Sequence, residues 1–181
     1  MKKIFLIMML CIVGVVSAQN YKTTSGKTSF SASVPLFEDI NAKDATTVVI
    51  VNADTGDMAS VSVTKNYHFK VKLMEEHFNE NYAESKKYPK VTFKGKILNF
   101  DKSKVSSVPQ KYNVQGVLNF HGVSKSISTL ATIFVKDSKF YMKGSFVVRT
   151  ADFNVKIPKV VSKKIAENVK VEYDYIMQVN K

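Results

Sequence analysis

The sequence predicts an all-β fold, an eight-stranded antiparallel barrel with one or two short capping helices. Short segments in which apolar and polar residues alternate recur along the chain, and each leaves one apolar face to be covered. Two short helices cannot cover eight strands, so the sheet must close on itself or pair into a sandwich. Sequential strands with short turns favour an up-and-down barrel. The cysteine pair and central Trp of an immunoglobulin sandwich, the competing fold, are missing.

The alternation predicts where each strand lies. The expected strands are near residues 28–34, 46–52, 59–71, 91–99, 111–120, 126–136, 139–148 and 168–179. In the last of them, Val169, Val171 and Tyr173 alternate with charged residues without an error. Asp137-Ser138 is short enough to join two strands as a hairpin.

Two segments break this pattern and predict helices. Met74, Phe78 and Tyr82 are spaced four apart, which predicts a helix over residues 73–84 that ends before Tyr88-Pro89. We expect this helix to lie across one barrel mouth with the three side chains turned inward, because burial is what would stabilise so short a helix. A second short helix is expected near 159–167, directly after a proline.

Residues 1–18 have the pattern of a signal peptide, and residues 19–181 are expected to form one domain. Two lysines precede an apolar stretch, and small residues precede a cleavage site ahead of Gln19. Cys11 follows a leucine rather than a small residue, which argues against a lipoprotein anchor. The remainder has no cysteine and needs no disulfide. We therefore expect a periplasmic or secreted protein.

The chain is strongly basic, with a formal net charge of +12 that falls by the two lysines of the signal segment. A basic surface favours anionic partners, so an anionic membrane surface is an expected partner. Lys94 and Lys96 alternate with apolar residues, which is typical of a solvated outer face that protects strand edges. We expect no nucleic-acid partner, which would need a basic groove with stacking aromatics. Nothing in the sequence pattern indicates which oligomeric state the protein adopts.

The inward set of side chains is apolar, aromatic and free of acidic residues, and it includes Phe140 and Met177. Eight strands lie at a boundary where a barrel is either filled by its own side chains or holds one small ligand. A packed core and an apolar tunnel both fit the pattern. Gly95, Gly116 and Gly144 fall in the inward phase, where they either leave space or mark bends in the strands.

The sequence has no catalytic signature. Its histidines are His68, His77 and His121, and no pair has the spacing of a metal motif. His77 and Glu80 could share one face of the predicted helix, but no second histidine accompanies them. His121 is expected to be a hydrogen-bonding turn residue, since no Ser-His-Asp order or cysteine nucleophile stands out. We expect no metal site and no enzymatic activity, with an esterase or isomerase as the least favoured alternative.

Three segments resemble the YceI-like family, and the resemblance covers nearly all of residues 19–181. Residues 73–95 contain a His-Phe-x-x-x-Tyr run followed by Glu-Ser, Tyr-Pro and Phe-x-Gly. Residues 114–125 contain Gly-x-Leu-x-x-His-Gly-Val-Ser-Lys. Residues 149–153 are similar to the family's Arg-x-Asp-Phe-Gly segment, with one extra residue and with Asn154 in place of the usual Gly.

The resemblance implies a lipocalin-like barrel that holds a long isoprenoid chain, such as a polyprenyl lipid or a quinone tail. This agrees with the inward set, because such a ligand needs apolar walls and few polar anchors. We expect an exported, non-enzymatic carrier of a long-chain isoprenoid-like lipid, with no cofactor beyond that lipid. The alternative is a closed-core barrel that acts through its basic surface as an interaction or structural module. The candidate ligand-binding residues are Phe69, Met74, Phe78, Phe93, Val114, Leu118, Phe120, Met142, Phe146, Tyr173 and Tyr175.

Overall fold

A computed structural model describes residues 19–180, so the predicted signal segment lies outside the described residues. The strands are β1 (Asn20–Ser31), β2 (Asn41–Asn52), β3 (Asp57–Val63), β4 (His68–Phe69), β5 (Lys90–Ile97), β6 (Gln110–Phe120), β7 (Val123–Lys136), β8 (Lys139–Arg149) and β9 (Asn168–Asn180). Within residues 19–180, no helix is long and apolar enough to cross a membrane.

The strands form one antiparallel sheet that closes into a ring. The order is β1-β9-β8-β7-β6-β5-β3-β2, and β1 pairs with β2 to complete the circle. The two-residue β4 lies outside the ring and extends it at the start of β2, where Ala42 opposes Phe69. The ring has eight strands, and closure removes the free edges that an open sheet would present. The predicted eight-stranded antiparallel barrel is confirmed.

One helix covers an end of the barrel, as predicted. Helix α1 (Lys72–His77) continues into a π-helical turn (Phe78–Tyr82), and together they form the capping segment, residues 72–82. The prediction of a second helix near 159–167 is wrong, because residues 159–164 form successive turns. Val161 and Ile165 contact the barrel interior at the expected spacing, but this segment is rich in β-branched residues, which disfavour a helix.

Three predicted strand boundaries are wrong by five residues or more: β1 and β2 begin earlier, and the third strand ends earlier. Strand β1 begins eight residues earlier than the predicted 28, because its polar first half pairs with β2 and β9. A register shift between Thr23 and Gly26 breaks the alternation that sequence periodicity relies on. The expected strand 59–71 ends at Val63 and continues as a 3₁₀ turn before β4.

The two ends of the barrel differ in packing. At the closed end, near the hairpin turn at residues 137–138, the side chains of Ile133, Phe140 and Met177 are fully or almost fully buried. Tyr21 stacks on Phe140 with ring centroids 4.3 Å apart. Asp137 and Ser138 both have positive φ, as a two-residue hairpin turn requires. Phe140 and Met177 do face inward as predicted, but they form a packed floor.

Candidate functional site

Above this floor lies a cavity of about 440 Å³ that occupies the upper barrel. Its volume lies within the range of about 300–1,000 Å³ typical of ligand pockets. The wall includes the solvent-exposed residues His77, Arg149 and Lys164, so the cavity reaches solvent at the end covered by the capping segment. We call this end the mouth.

All of the candidate ligand-binding residues line this one cavity. They come from β4, the capping segment and strands β5, β6, β8 and β9: Phe69, Met74, Phe78, Phe93, Val114, Leu118, Phe120, Met142, Phe146, Tyr173 and Tyr175. Phe93, Phe120 and Phe146 face inward yet stay half-buried, whereas Phe140 in the floor is 1% exposed. This contrast indicates that the upper barrel is not filled by its own side chains. Binding of a ligand by these residues stays a prediction.

An aromatic cluster closes part of the mouth. Phe78 of the capping segment packs against Phe30 and Phe69, with ring centroids 5.2 Å and 5.3 Å apart. Tyr67 joins the cluster through Phe30 at 5.5 Å. Met74 and Tyr82 also line the cavity, so the predicted inward face of the helix is confirmed. Sequence reasoning missed Phe30 and Tyr67 as wall residues.

The inward glycines seat aromatic rings. Gly144 lies opposite Tyr173, and a Cβ added to Gly144 would collide with the Tyr173 phenol. Gly95 and Gly116 oppose each other on β5 and β6, and a Cβ on Gly95 would come 2.8 Å from the ring of Phe93. The missing side chains therefore give the rings of Phe93 and Tyr173 a place against the wall, and they leave no empty space.

The expectation of an acid-free inner face is wrong, because Asp44 on β2 is 1% exposed. Its Oδ1 accepts hydrogen bonds from the backbone N–H and the hydroxyl of Thr46, at 2.7 Å and 2.6 Å. Its Oδ2 accepts one from the Thr47 hydroxyl at 2.9 Å. The register between β1 and β2 shifts between Gly26↔Thr47 and Thr28↔Asp44, which brings Asp44 into the inward phase.

Behind the cavity wall, hydroxyl groups extend from Asp44 toward the interior. Thr47 Oγ1 lies 2.7 Å from Ser62 Oγ and 2.9 Å from Thr28 Oγ1, which in turn lies 3.3 Å from the Tyr175 hydroxyl. We call the cavity-lining members of this network the hydroxyl strip: Thr28, Ser62 and Tyr175. Burial raises the pKa of Tyr175, so its phenol keeps its proton.

The Tyr173 hydroxyl is not part of this strip. It is buried near Thr129 without reaching hydrogen-bonding geometry, and Thr129 donates instead to the carbonyl of Ser145 at 2.7 Å. Burial raises the pKa of Tyr173 to about 12. This phenol therefore acts as a neutral wall group packed on Gly144.

His121 is a hydrogen-bonding turn residue, as predicted. It has a φ of 51° in the β6–β7 turn, and its ring joins the capping region to the segment after β8. Asn154 has a φ of 58°, a conformation that Asn tolerates better than most residues, which explains why it can replace the family's usual Gly. Among residues 19–180, no group of three or more His, Cys, Asp or Glu side chains could hold a metal ion.

A closed antiparallel barrel with an apolar, solvent-connected cavity defines the lipocalin-like class of folds. The family model described as the YceI-like domain matches residues 13–177. The chain belongs to the YceI-like family.

Several solved structures share this fold. A polyisoprenoid binding domain from Saccharophagus degradans has a TM-score of 0.76 at 13% identity and covers 90% of this chain and 99% of its own. Burkholderia cenocepacia BcnA has a TM-score of 0.69 at 16% identity, covering 86% and 96%. The Campylobacter jejuni YCEI protein has a TM-score of 0.52 at 16% identity, covering 97% and 98%. Such low identities show the fold alone. No curated protein matches this sequence closely enough to count as a relative.

Proposed function

We propose that this protein is a non-enzymatic carrier that holds a long apolar, isoprenoid-like lipid inside the barrel. The observation that carries this proposal is the apolar cavity, which begins above a packed floor and opens to solvent at one end. A polyprenyl lipid or a quinone tail suits such a wall, because it offers much apolar surface and few polar atoms. The related fold from Saccharophagus degradans is described as a polyisoprenoid binding domain, which supports this ligand class.

The alternative, a closed-core barrel acting through its basic surface, is less well supported. A closed core requires inward side chains from opposite walls to meet, and here Phe93 and Leu118, neighbours on β5 and β6, line an unfilled cavity instead. An unfilled apolar space of this size costs stability unless something occupies it. A bound lipid would supply the missing contacts.

The direct test is organic extraction and mass spectrometry of the protein purified from its own host. We expect one class of long-chain isoprenoid in near-stoichiometric amount. The matched control is Leu118→Trp purified in parallel, whose larger side chain projects into the cavity and should reduce the recovered lipid. A wild-type protein that repeatedly yields no lipid, or the same lipids as the variant, would contradict the carrier function.

We also propose that the protein works outside the cytoplasm after cleavage ahead of Gln19. The support is the signal-peptide pattern of residues 1–18. N-terminal sequencing of the host protein should begin at Gln19. Recovery of an intact Met1 from a host fraction would count against this cleavage and export.

The mouth loops support loading at a membrane surface. Two loops, residues 32–40 and 155–167, meet where the Ala166 N–H donates to the Ala32 carbonyl at 2.9 Å. Each has an apolar side chain at its tip that extends into water: Leu36 is fully exposed and Val160 is 91% exposed. Apolar tips beside a lipid cavity suit insertion into the headgroup region, and the lysines of residues 155–167 suit anionic lipids.

Sedimentation with vesicles tests this docking. We expect binding to vesicles of phosphatidylcholine with phosphatidylglycerol, weaker binding to phosphatidylcholine alone, and a loss on replacing Leu36 and Val160 by Asp. The matched control is Leu130→Asp, which changes an exposed leucine on the outer barrel wall. Equal binding by the loop variant and the control would argue against the mouth as the docking face.

A further inference from the structure

Most of the cavity wall is apolar, and the hydroxyl strip is one of its polar parts, so it is placed to meet a polar group of the ligand. Other polar groups that line the cavity include those of Thr92, Thr129 and Thr150 and of the mouth residues Glu38, His77, Arg149 and Lys164. The oxygens of the strip come from β1, β3 and β9, and they lie on one side of the barrel. Each hydroxyl has one proton and can accept through its remaining lone pairs. What the strip offers a ligand therefore depends on where those protons point.

Asp44 sets the direction of the protons. Its carboxylate accepts three hydrogen bonds, and no Lys, Arg or His among residues 19–180 forms an ion pair with it. Thr47 gives its only hydroxyl proton to Asp44, so it can only accept from Thr28 and Ser62. Both of those hydroxyls must then donate toward Thr47, away from the cavity.

The Tyr175 hydroxyl follows the same direction. Because the Thr28 proton is committed, the contact between Thr28 and Tyr175 requires Tyr175 to donate. The protons of Thr28, Ser62 and Tyr175 all point along this chain of hydroxyls toward Asp44. The strip therefore presents oxygen lone pairs to the cavity, with its protons used in a relay that ends at Asp44.

We propose that the strip selects ligands whose polar terminus donates a hydrogen bond, a prenyl alcohol or a quinol in preference to a quinone, an ether or a phosphate. This inference rests on the proposed carrier function. A hydroxyl terminus can donate to the lone pairs of the strip. A carbonyl or ether oxygen only accepts, so it meets lone pair against lone pair. A phosphate additionally brings negative charge toward the buried Asp44 carboxylate, where low dielectric strengthens the repulsion.

The test compares ligands that share one tail. Geranylgeraniol, its methyl ether and geranylgeranyl monophosphate compete for the cavity against the neutral dye N-phenyl-1-naphthylamine, with the dye's fluorescence as the readout. We expect the alcohol to bind about 3- to 10-fold more tightly than the ether, the ratio set by one net hydrogen bond. The phosphate should bind most weakly. A short-chain quinone and its reduced quinol form a second matched pair, with the quinol preferred.

Two variants connect the preference to the relay. In Asp44→Asn the amide can donate to Thr47, which frees a hydroxyl proton for the cavity, so the preference for alcohol over ether should fall toward one. Tyr175→Phe keeps the ring but removes one of the three acceptor oxygens of the strip, so it should reduce the preference in the same direction. Tyr141→Phe is the matched control, because Tyr141 stacks on Phe134 away from the cavity and should leave the ratio unchanged.

The possible outcomes distinguish a failure of this ligand selection from a failure of the proposed carrier function. Equal affinity of the wild-type protein for alcohol and ether, or a phosphate that binds as tightly as the alcohol, would overturn the selection while leaving the carrier intact. Failure of all prenyl compounds and of the dye to bind would refute the carrier function and the inference together. Should Asp44→Asn not fold, the wild-type ligand series and Tyr175→Phe still decide the question.

Discussion

The Nδ1 of His121 donates to the carbonyl of Phe153 at 2.9 Å, and its Nε2 lies 2.7 Å from a carboxylate oxygen of Glu84. Both ring nitrogens therefore face acceptor oxygens, and the ring is held on both sides. The side chain is almost buried and joins the β6–β7 turn to two other mouth segments. We call these two contacts of the His121 ring the clasp, because they link three segments of the mouth.

Replacing Glu84 by Gln should weaken this clasp. The change converts a charge-assisted hydrogen bond into a neutral one, and Glu84 is partly exposed, so we expect a loss of about 0.5–1 kcal/mol in the free energy of unfolding. Gln keeps a side chain of the same shape at a residue whose φ is 43°. Urea unfolding measures the loss, with Glu80→Gln in the adjacent capping segment as the control.

His121→Asn should cost more than Glu84→Gln, because it removes both hydrogen bonds while Asn still tolerates the positive φ. It should also speed release of bound lipid, since three mouth segments lose a common contact. Identical stability for Glu84→Gln and Glu80→Gln, together with an unchanged His121→Asn protein, would mean that the clasp contributes nothing.

A second prediction concerns the packing of Tyr173 on Gly144. A Cβ at residue 144 would overlap the phenol, and its nearest backbone atom, the Leu130 carbonyl, is 3.0 Å away. Gly144→Ala should therefore cost about 1–3 kcal/mol, as overpacking does. In a Tyr173→Leu background the same change should cost much less, because the colliding ring is gone.

A double-mutant cycle measured by thermal or urea unfolding gives the coupling between these two positions. If Gly144→Ala lowers the stability equally in both backgrounds, the added Cβ clashes with the backbone and not with the Tyr173 ring. Gly116→Ala is a useful contrast, because the Cβ would meet the backbone of Lys94 and Gly95 as well as the Phe93 ring. Trimming Phe93 should therefore rescue it only in part.

The barrel could be predicted because closure needs only that each strand carry one apolar face. In β9, strict alternation around Tyr173 and Tyr175 fixes the register with β8 and places both rings inside. The helix of the capping segment could also be predicted. Met74, Phe78 and Tyr82 are spaced four apart, and they share one face even though the α-helix continues as a π-helical turn.

The hydroxyl strip could not be predicted, because a register shift hides it. Alternation counted back from Val49 and Thr47 places Asp44 on the outer face, and only the irregular pairing with β1 turns it inward. The cavity could not be predicted from the alternation of apolar and polar residues either. Alternation shows that Leu118 points inward, but whether side chains from opposite walls meet depends on their distance across the barrel.

A third prediction concerns acid. Glu75 is buried on α1, where Oε2 accepts from the Phe69 N–H at 3.1 Å and contacts His68 Nδ1 at 3.2 Å, and Lys72 donates to Oε1. The Lys72 hydrogen bond, followed by the Phe69 N–H and His68, holds the pKa of this carboxyl below its usual range against the opposing effect of burial. The ionised carboxylate therefore ties the capping segment to β4.

Since the folded-state pKa of Glu75 lies below its unfolded value, its stabilisation is present above the unfolded value of about 4.3 and is lost as pH falls through the folded one. Glu75→Gln should lower the melting temperature near neutral pH, and the difference from wild type should shrink in acid. The exposed neighbour Glu76→Gln serves as the control. A difference that stays constant down to about pH 3 would refute the linkage.

The last prediction uses Leu118 to ask whether the cavity is the lipid site. Leu118 faces the cavity on β6, where it lies opposite Phe93 of β5. In Leu118→Trp the added ring enters open space, so the melting temperature should change little while bound lipid falls. Ile133→Trp is the matched control, because Ile133 is completely buried in the packed floor. There the same addition is overpacking, which costs about 1–3 kcal/mol or more.

Melting temperature and extracted lipid should be measured on the same preparations, so that a loss of lipid is not confused with a loss of fold. The carrier hypothesis predicts that Leu118→Trp loses lipid and keeps stability. For Ile133→Trp it predicts lost stability, with lipid retained by whatever fraction stays folded. A large loss of stability in Leu118→Trp, from a wild-type protein that never carried lipid, would mean that the upper barrel behaves as a closed core and would favour the interaction module.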